Sequence, residues 1–234
     1  RGRALADLSR FDEAEQSYIA ALAADPAHLE TQVALAKLRY MRRDGDFARE
    51  FLRGEQARPR DVRLRMAHGQ VLRQAGDSIA AERILRDVLQ TEGFIPEVAS
   101  ALAIVLHEQG RLAEAATEAR AARDAKPESA ALDEALVGVL LTQGEPEECL
   151  ALVRRQRELA PLDQRWIAYE ATALRLQGDD EYHRLYDYAR FVQPFELEPP
   201  AGWASIEAFN QDLIEVLLRL HRFQSHPLDQ SLRL

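Results

Sequence analysis

His107-Glu108-Gln109-Gly110-Arg111 is the stretch on which the fold turns, because it recurs. Arg73-Gln74-Ala75-Gly76-Asp77 precedes it, and Leu141-Thr142-Gln143-Gly144-Glu145 and Arg175-Leu176-Gln177-Gly178-Asp179 follow, so that Gly76, Gly110, Gly144 and Gly178 are evenly spaced. Each glycine stands where one apolar, helix-like run ends and another begins. Glycine suits that place because it takes a left-handed backbone without a Cβ clash. Pro127 lies halfway between Gly110 and Gly144, and Pro161 halfway between Gly144 and Gly178, so each period holds two helices. A fixed period of this size predicts a stacked array of two-helix units.

A chain of 234 residues with 47% hydrophobic content has enough apolar material for one or two domains. Its net charge of −9 argues against nucleic acid as a partner, since phosphate neutralisation needs a basic face. Lys37 and Lys126 are the only lysines, a bias to which no function attaches. Cys149 is alone, which rules out an internal disulfide and fits a reducing compartment, so the expected location is the cytoplasm. No apolar run approaches the ~18–20 residues that cross a bilayer, and no membrane partner is expected. The chain opens on Arg1-Gly2-Arg3, where a leader would not be visible.

Within the periods, small and apolar residues fall in register. The first unit is entered midway, with Gly2, Leu5, a turn at Ser9-Arg10-Phe11, then Ala14, Tyr18, Ala21 and Pro26. The third carries Gly69, Leu72, Ala81 and Leu85, and the fourth Leu102, Ala103, Leu106, Ala115 and Pro127. The fifth carries Leu136, Leu140, Cys149, Val153 and Pro161. The sixth has Ala171 and Leu174, but His183 where a small residue belongs. This pattern resembles the tetratricopeptide repeat over residues 1–195. The resemblance implies an all-α, right-handed α-α superhelix (a TPR solenoid) of about six helix-turn-helix repeats, followed by a C-terminal helix. Two units depart from it. In the second, about Leu29 to Arg58, Gly45 stands three positions too close to Gly76 for the common step, with Phe47 and Ala48 near the helix crossing; the third closes on Gly93 and Pro96. Cys149 occupies a small-residue position, which reads as a buried structural thiol.

In that family the first helix of each unit lines a concave surface that accepts a peptide or protein segment. The resemblance places Gln32, Ala36 and Arg39 on this groove in the second unit, and Arg63, Met66, Gln70 and Arg73 in the third. The fourth contributes Glu97, Ser100, Ile104 and His107, and the fifth Glu134, Gly138 and Leu141. The sixth contributes Arg165, Ala168, Tyr169, Thr172 and Arg175. The groove then reads basic (Arg39, Arg63, Arg73), acidic (Glu97, Glu108, Glu134) and basic again (Arg165, Arg175), and the first cluster is expected to hold an acidic segment. Chaperone-binding members use a Lys/Asn clamp for a terminal carboxylate. Gln32, Ala36, Met66, Gln70, Ser100 and Ile104 stand in its place, so a chaperone tail is not the expected ligand.

The rhythm stops after Phe195. Residues 196–204, with Pro199 and Pro200, read as a linker. Residues 205–222 read as a terminal helix with Ser205 as N-cap and an apolar stripe of Ile206, Phe209, Leu213, Leu217 and Leu220. Ile214 and Leu218 widen that stripe enough for a second partner, including a homodimer. Residues 223–234 contain His226-Pro227-Leu228-Asp229-Gln230-Ser231-Leu232-Arg233. With Pro199-Pro200-Ala201-Gly202-Trp203 and Phe209-Asn210, this tail resembles the lead-in to a 2-oxoglutarate/Fe(II)-dependent oxygenase domain. Bacterial proteins of that kind carry such repeats ahead of the catalytic part. Such oxygenases bind iron with His-x-Asp…His, whereas His226 and Asp229 are three apart and no histidine follows. His28, His68, His107 and His183 are scattered without metal-ligand spacing, and no phosphate loop or nucleophile elbow is present. No catalytic or metal-binding residue is therefore expected in this chain. Fe(II) and 2-oxoglutarate belong only to a downstream domain, if one exists. Three roles follow: an interaction scaffold, the substrate-recruiting arm of such an oxygenase, or a self-association module.

Overall fold

A computed structural model of the chain describes residues 1–220. The described residues form helices and connecting loops. The first unit is α1 (Gly2–Asp7) and α2 (Phe11–Ala24), and the second is α3 (Leu29–Met41) and α4 (Arg49–Ala57). The third is α5 (Val62–Gln74) and α6 (Ser78–Glu92), the fourth α7 (Pro96–Glu108) and α8 (Leu112–Ala125). The fifth is α9 (Ala130–Gln143) and α10 (Pro146–Leu159), and the sixth begins with α11 (Gln164–Gln177). Two single turns, α12 (Tyr182–Leu185) and α13 (Tyr188–Phe191), precede α14 (Ile206–Leu220).

One turn geometry repeats in every unit. Gly76, Gly110, Gly144 and Gly178 all have positive φ. The next residue's N–H reaches back to a carbonyl in the last turn of the helix: Asp77 to Leu72, Arg111 to Leu106, Glu145 to Leu140 and Asp179 to Leu174, at 2.9–3.0 Å. This bond satisfies a carbonyl that the helix end would otherwise orphan. The same bond joins Arg10 to Leu5 and Asp44 to Arg39, across Ser9 (φ 59°) and Arg43 (φ 58°). The rung of the second unit is therefore Arg43, one position short of the common step to Gly76, and not Gly45. Gly45 lies in the following loop with open space around it. Non-glycine residues hold the left-handed position in the first two units at a cost of about 1–2 kcal/mol each.

The core is a column of crossings. Ala14, Ala81, Ala115 and Cys149 are fully buried where the second helix of a unit crosses the first. Ala36, Gly69, Ala103, Val137 and Ala171 face them from the first helices, all buried. Burial without a charged neighbour pushes the Cys149 thiol up to about 12, as a structural thiol should behave.

The second unit departs at its second helix. Five positions after the left-handed residue, where Ala14, Ala81, Ala115 and Cys149 stand, it has the small Ala48, but α4 begins only at Arg49 and keeps nine residues. Phe47 lies ahead of α4, edge-on to the Tyr40 ring at 5.4 Å. That short helix is locked down by other means. Gln32 donates to the carbonyls of Pro26 and Glu50 at 2.6 and 2.8 Å, and Gly54 lets α4 approach the Pro26 carbonyl. The sixth unit departs further. One period after Cys149 and Val153 come His183 and Asp187, polar where the column is apolar, and Arg190 follows one period after Gln156. A second helix of ordinary length does not form there, and neither single turn buries a residue. The repeat packing thus ends at α11 with Tyr182 and Leu185 laid against it, short of the expected residue 195. The expected helix over 205–222 is seen as Ile206–Leu220, and the tail from 223 lies outside the described residues.

Candidate binding face

The first helices of successive units pack on one another, α3 on α5, α5 on α7, α7 on α9 and α9 on α11. Among the described residues no two second helices pack comparably; each instead wedges between its own first helix and the next. Helices that sit closer together lie on the inner radius of a curved stack. The inner face is therefore built by α3, α5, α7, α9 and α11.

Side chains on this face bond across units. Arg73 pairs with Glu108, and His107 Nε2 lies 2.7 Å from Thr142 Oγ1, each pair joining neighbouring units. Glu134 accepts from Arg165 Nη1 at 2.9 Å and from the Tyr169 hydroxyl at 3.5 Å. Within the fourth unit, Lys126 at the end of α8 donates to Glu97 at 2.8 Å, and that bond holds the Glu97 carboxyl below its usual range. Burial, reinforced by Glu134, raises the Tyr169 phenol. Of the charges expected on the groove, Arg73 and Glu108, and Arg165 and Glu134, are thus paired with each other. Arg63 and Arg175 are exposed and, among the described residues, make no ion pair.

Most of the expected groove residues lie on this face. Arg63, Gln70, Glu97, Arg165, Thr172 and Arg175 are exposed, whereas Met66, Arg73, Ile104, His107, Glu134, Leu141, Ala168 and Tyr169 are partly buried. Gly138 opens the floor, since a Cβ there would meet nothing within 4 Å. Ser100 corrects one expectation: it is buried under the face and not lining it. The second unit needs a larger correction. Gln32 and Arg39 are 1% and 3% exposed, and Ala36 is buried beside them. Arg39 is held inside by Glu15 at 2.8 Å and Glu50 at 3.4 Å. With Arg43 as the rung, α3 sits one position out of the common register with α5, which puts Gln32 and Arg39 on crossing positions. The face residues of that unit are Glu30, Val33, Lys37 and Tyr40, which the sequence reading missed. The expected cluster Arg39/Arg63/Arg73 therefore does not exist as a surface feature.

The floor between the paired charges is mostly uncharged: Met66, Ile104, Gly138, Leu141 and Ala168 run along it. The outer face is different in kind. Glu82 accepts from Arg86 and Arg111 at 2.7 Å, and Arg120 bridges Glu145 and Glu148. Burial pushes the Glu82 carboxyl up, but hydrogen bonds from Arg86, Arg111 and Gln109 outweigh it and bring it to about 2. The shortness of α4 leaves a cleft of ≈ 690 Å³ on that side, with Leu52, Arg60, Arg65 and Asp87 in its wall.

Among the described residues no group of three His, Cys, Asp or Glu could hold a metal ion. His226 and Asp229 lie outside the described residues. No helix among the described residues is long and apolar enough to cross a membrane.

A family model described as "Tetratricopeptide repeat" matches residues 1–62, 66–130 and 100–163, together more than half of the chain. No curated protein matches it. Among solved structures, the type IV pilus biogenesis factor PilW is similar with a TM-score of 0.63 at 13% identity, over 82% of this chain and 91% of that one. A tetratricopeptide repeat protein from Parabacteroides merdae is similar with a TM-score of 0.60 at 12% identity, over 82% and 78%. Pseudomonas aeruginosa PilF gives 0.59 at 15% identity, over 90% and 94%. At these identities the likeness is one of fold.

Proposed function

Because this chain belongs to the tetratricopeptide repeat family, we propose that it is an interaction scaffold whose inner face docks an extended or helical segment of another protein. The observation that carries this reading is Gly138. A glycine inside a helix costs about 0.5–1 kcal/mol relative to alanine, and no neighbour among the described residues uses the space it leaves. A partner chain passing close over α9 would use it. The uncharged floor between self-neutralised pairs favours a segment that sets a small or apolar side chain over Gly138, in place of the acidic segment expected from the sequence. Such a role needs no chemistry from this chain.

The test is a photo-crosslinking amino acid placed in turn at positions 104, 138 and 172, along the floor, and at Ala121 on the outer face. The reading predicts adducts from the three floor positions that map to one contiguous partner segment. Adducts from Ala121 alone, or floor adducts scattered over unrelated segments, would contradict it.

A further inference from the structure

Beyond the repeat packing, α14 carries an uncovered apolar surface. Among the described residues this helix packs closely on no other element, and it buries no residue. Trp203 covers only its start, edge-on to Phe209 at 5.1 Å, with the indole N–H donating to Asp212 Oδ2 at 2.9 Å. Beyond that point Leu213 is 40% exposed, Leu217 54% and Leu220 69%. Leaving such side chains in water forgoes the main favourable term in folding and association.

The spacing of these residues restricts what can cover them. Ile206, Phe209, Leu213, Val216 and Leu220 follow each other at steps of three, four, three and four, the seam of a helix that pairs with another helix. The charges then select the partner and its direction. When a second α14 runs antiparallel with its Val216 opposite Leu213, its Leu220 falls opposite Phe209. In that register the two-fold axis passes between Leu213 and Val216, and Asp212 lies beside the second copy's Arg219. Symmetry makes that ion pair twice. A parallel pairing sets Asp212 beside the second copy's Leu217 and leaves no opposite charge across the seam. The Oδ1 oxygen of Asp212 is available for a second bond, since Trp203 takes Oδ2.

We propose that the chain self-associates through an antiparallel pair of α14 helices, held by the Phe209–Leu220 seam and the reciprocal Asp212–Arg219 contacts. Two helices of four turns bury on the order of 1,000 Å² together, the lower end for a specific interface. The pairing is therefore reversible, with Kd on the order of 10 µM. It places two inner faces in one assembly, and it is independent of what those faces bind.

Sedimentation equilibrium of the full chain, from about 1 to about 200 µM so as to bracket that constant, tests it. The wild type should fit a monomer–dimer equilibrium. Asp212→Arg and Arg219→Asp each turn two attractions into two repulsions and should weaken dimerisation about tenfold. The double variant D212R/R219D restores opposite charges in the antiparallel register alone, and should recover the wild-type constant. Val216→Glu, which sets a carboxylate in the seam opposite the second copy's Leu213 on both sides of the axis, should abolish the dimer, while circular dichroism shows that the array remains folded. A monomeric wild type throughout this range would overturn the proposal. So would single reversals that associate like wild type, or a double variant as weak as the singles.

Discussion

Gly54 and Gly138 both sit inside helices, and the same substitution to alanine should move stability in opposite directions. In α9, the Gly138 backbone is ordinary helix, and an added Cβ meets nothing within 4 Å. Gly138→Ala should therefore gain the helix preference of alanine, about 0.5–1 kcal/mol. In α4 the new Cβ at Gly54 would stand 2.7 Å from the Pro26 carbonyl oxygen, 3.0 Å from Gln32 Nε2 and 3.0 Å from Leu64 Cδ2. The first contact is backbone and cannot rotate away, so α4 must shift. That shift strains the bonds from Gln32 to Pro26 and Glu50, whose loss inside the protein costs about 1–3 kcal/mol. After the helix gain is subtracted, Gly54→Ala should destabilise by about 1–2 kcal/mol. Urea unfolding followed by circular dichroism would read both variants, with m-values checked against wild type because repeat arrays lose cooperativity piecemeal. A neutral Gly54→Ala would refute the close approach of α4 that explains the second unit. A destabilising Gly138→Ala would refute the open floor on which the binding face depends.

Three further outcomes follow from other parts of the chain. Ser9→Gly should relieve a left-handed non-glycine residue and stabilise by about 0.5–1 kcal/mol after the entropy glycine adds to the unfolded chain, read as a higher melting temperature; an unchanged or lowered value would deny the turn geometry. Glu82 has a folded pKa of about 2, below its usual value, so its contribution is full above about pH 4.5 and fades as pH falls toward 2. The stability gap between wild type and Glu82→Gln should be about 1 kcal/mol near neutrality, allowing for solvent screening of its arginine partners, and should close on acidification; a gap independent of pH would show that the ion network contributes nothing. Cys149, fully buried with a thiol raised to about 12, should resist a thiol-specific reagent in the native protein and react promptly in denaturant; fast labelling of the folded chain would place it outside the crossing column.

The period of the array was legible because it is written in residues that admit few alternatives. A glycine at a left-handed turn and an alanine at a helix crossing are each dictated by sterics, so Gly76, Gly110, Gly144 and Gly178 located the turns of four units. The second unit misled for the same reason. Arg43 takes the left-handed position that glycine usually marks, and Gly45 nearby has no such duty, so the register of α3 slipped. Gln32 and Arg39 were thereby carried from the core to the groove. The shift shows only in the structure, where the burial of Leu35 and Leu38 repeats that of His68 and Val71 at an offset one short of the common period. The missing second helix of the sixth unit was half visible in His183, and Asp187 and Arg190 complete the reason. The neutralisation of the face charges was not legible, because pairs such as Arg73–Glu108 and Glu134–Arg165 join residues about one period apart and depend on how tightly successive first helices pack.

The central claim is that the inner face around Gly138 is where this protein binds others. Its most direct test is to pan a random-sequence peptide display library on the wild-type protein and titrate the enriched peptides against Gly138→Trp and Ala121→Trp. Tryptophan at 138 fills the open floor, while tryptophan at Ala121 burdens the outer face equally and leaves the floor clear. The account predicts that affinity collapses for Gly138→Trp and is unchanged for Ala121→Trp; peptides that bind Gly138→Trp as well as they bind the wild type would contradict it.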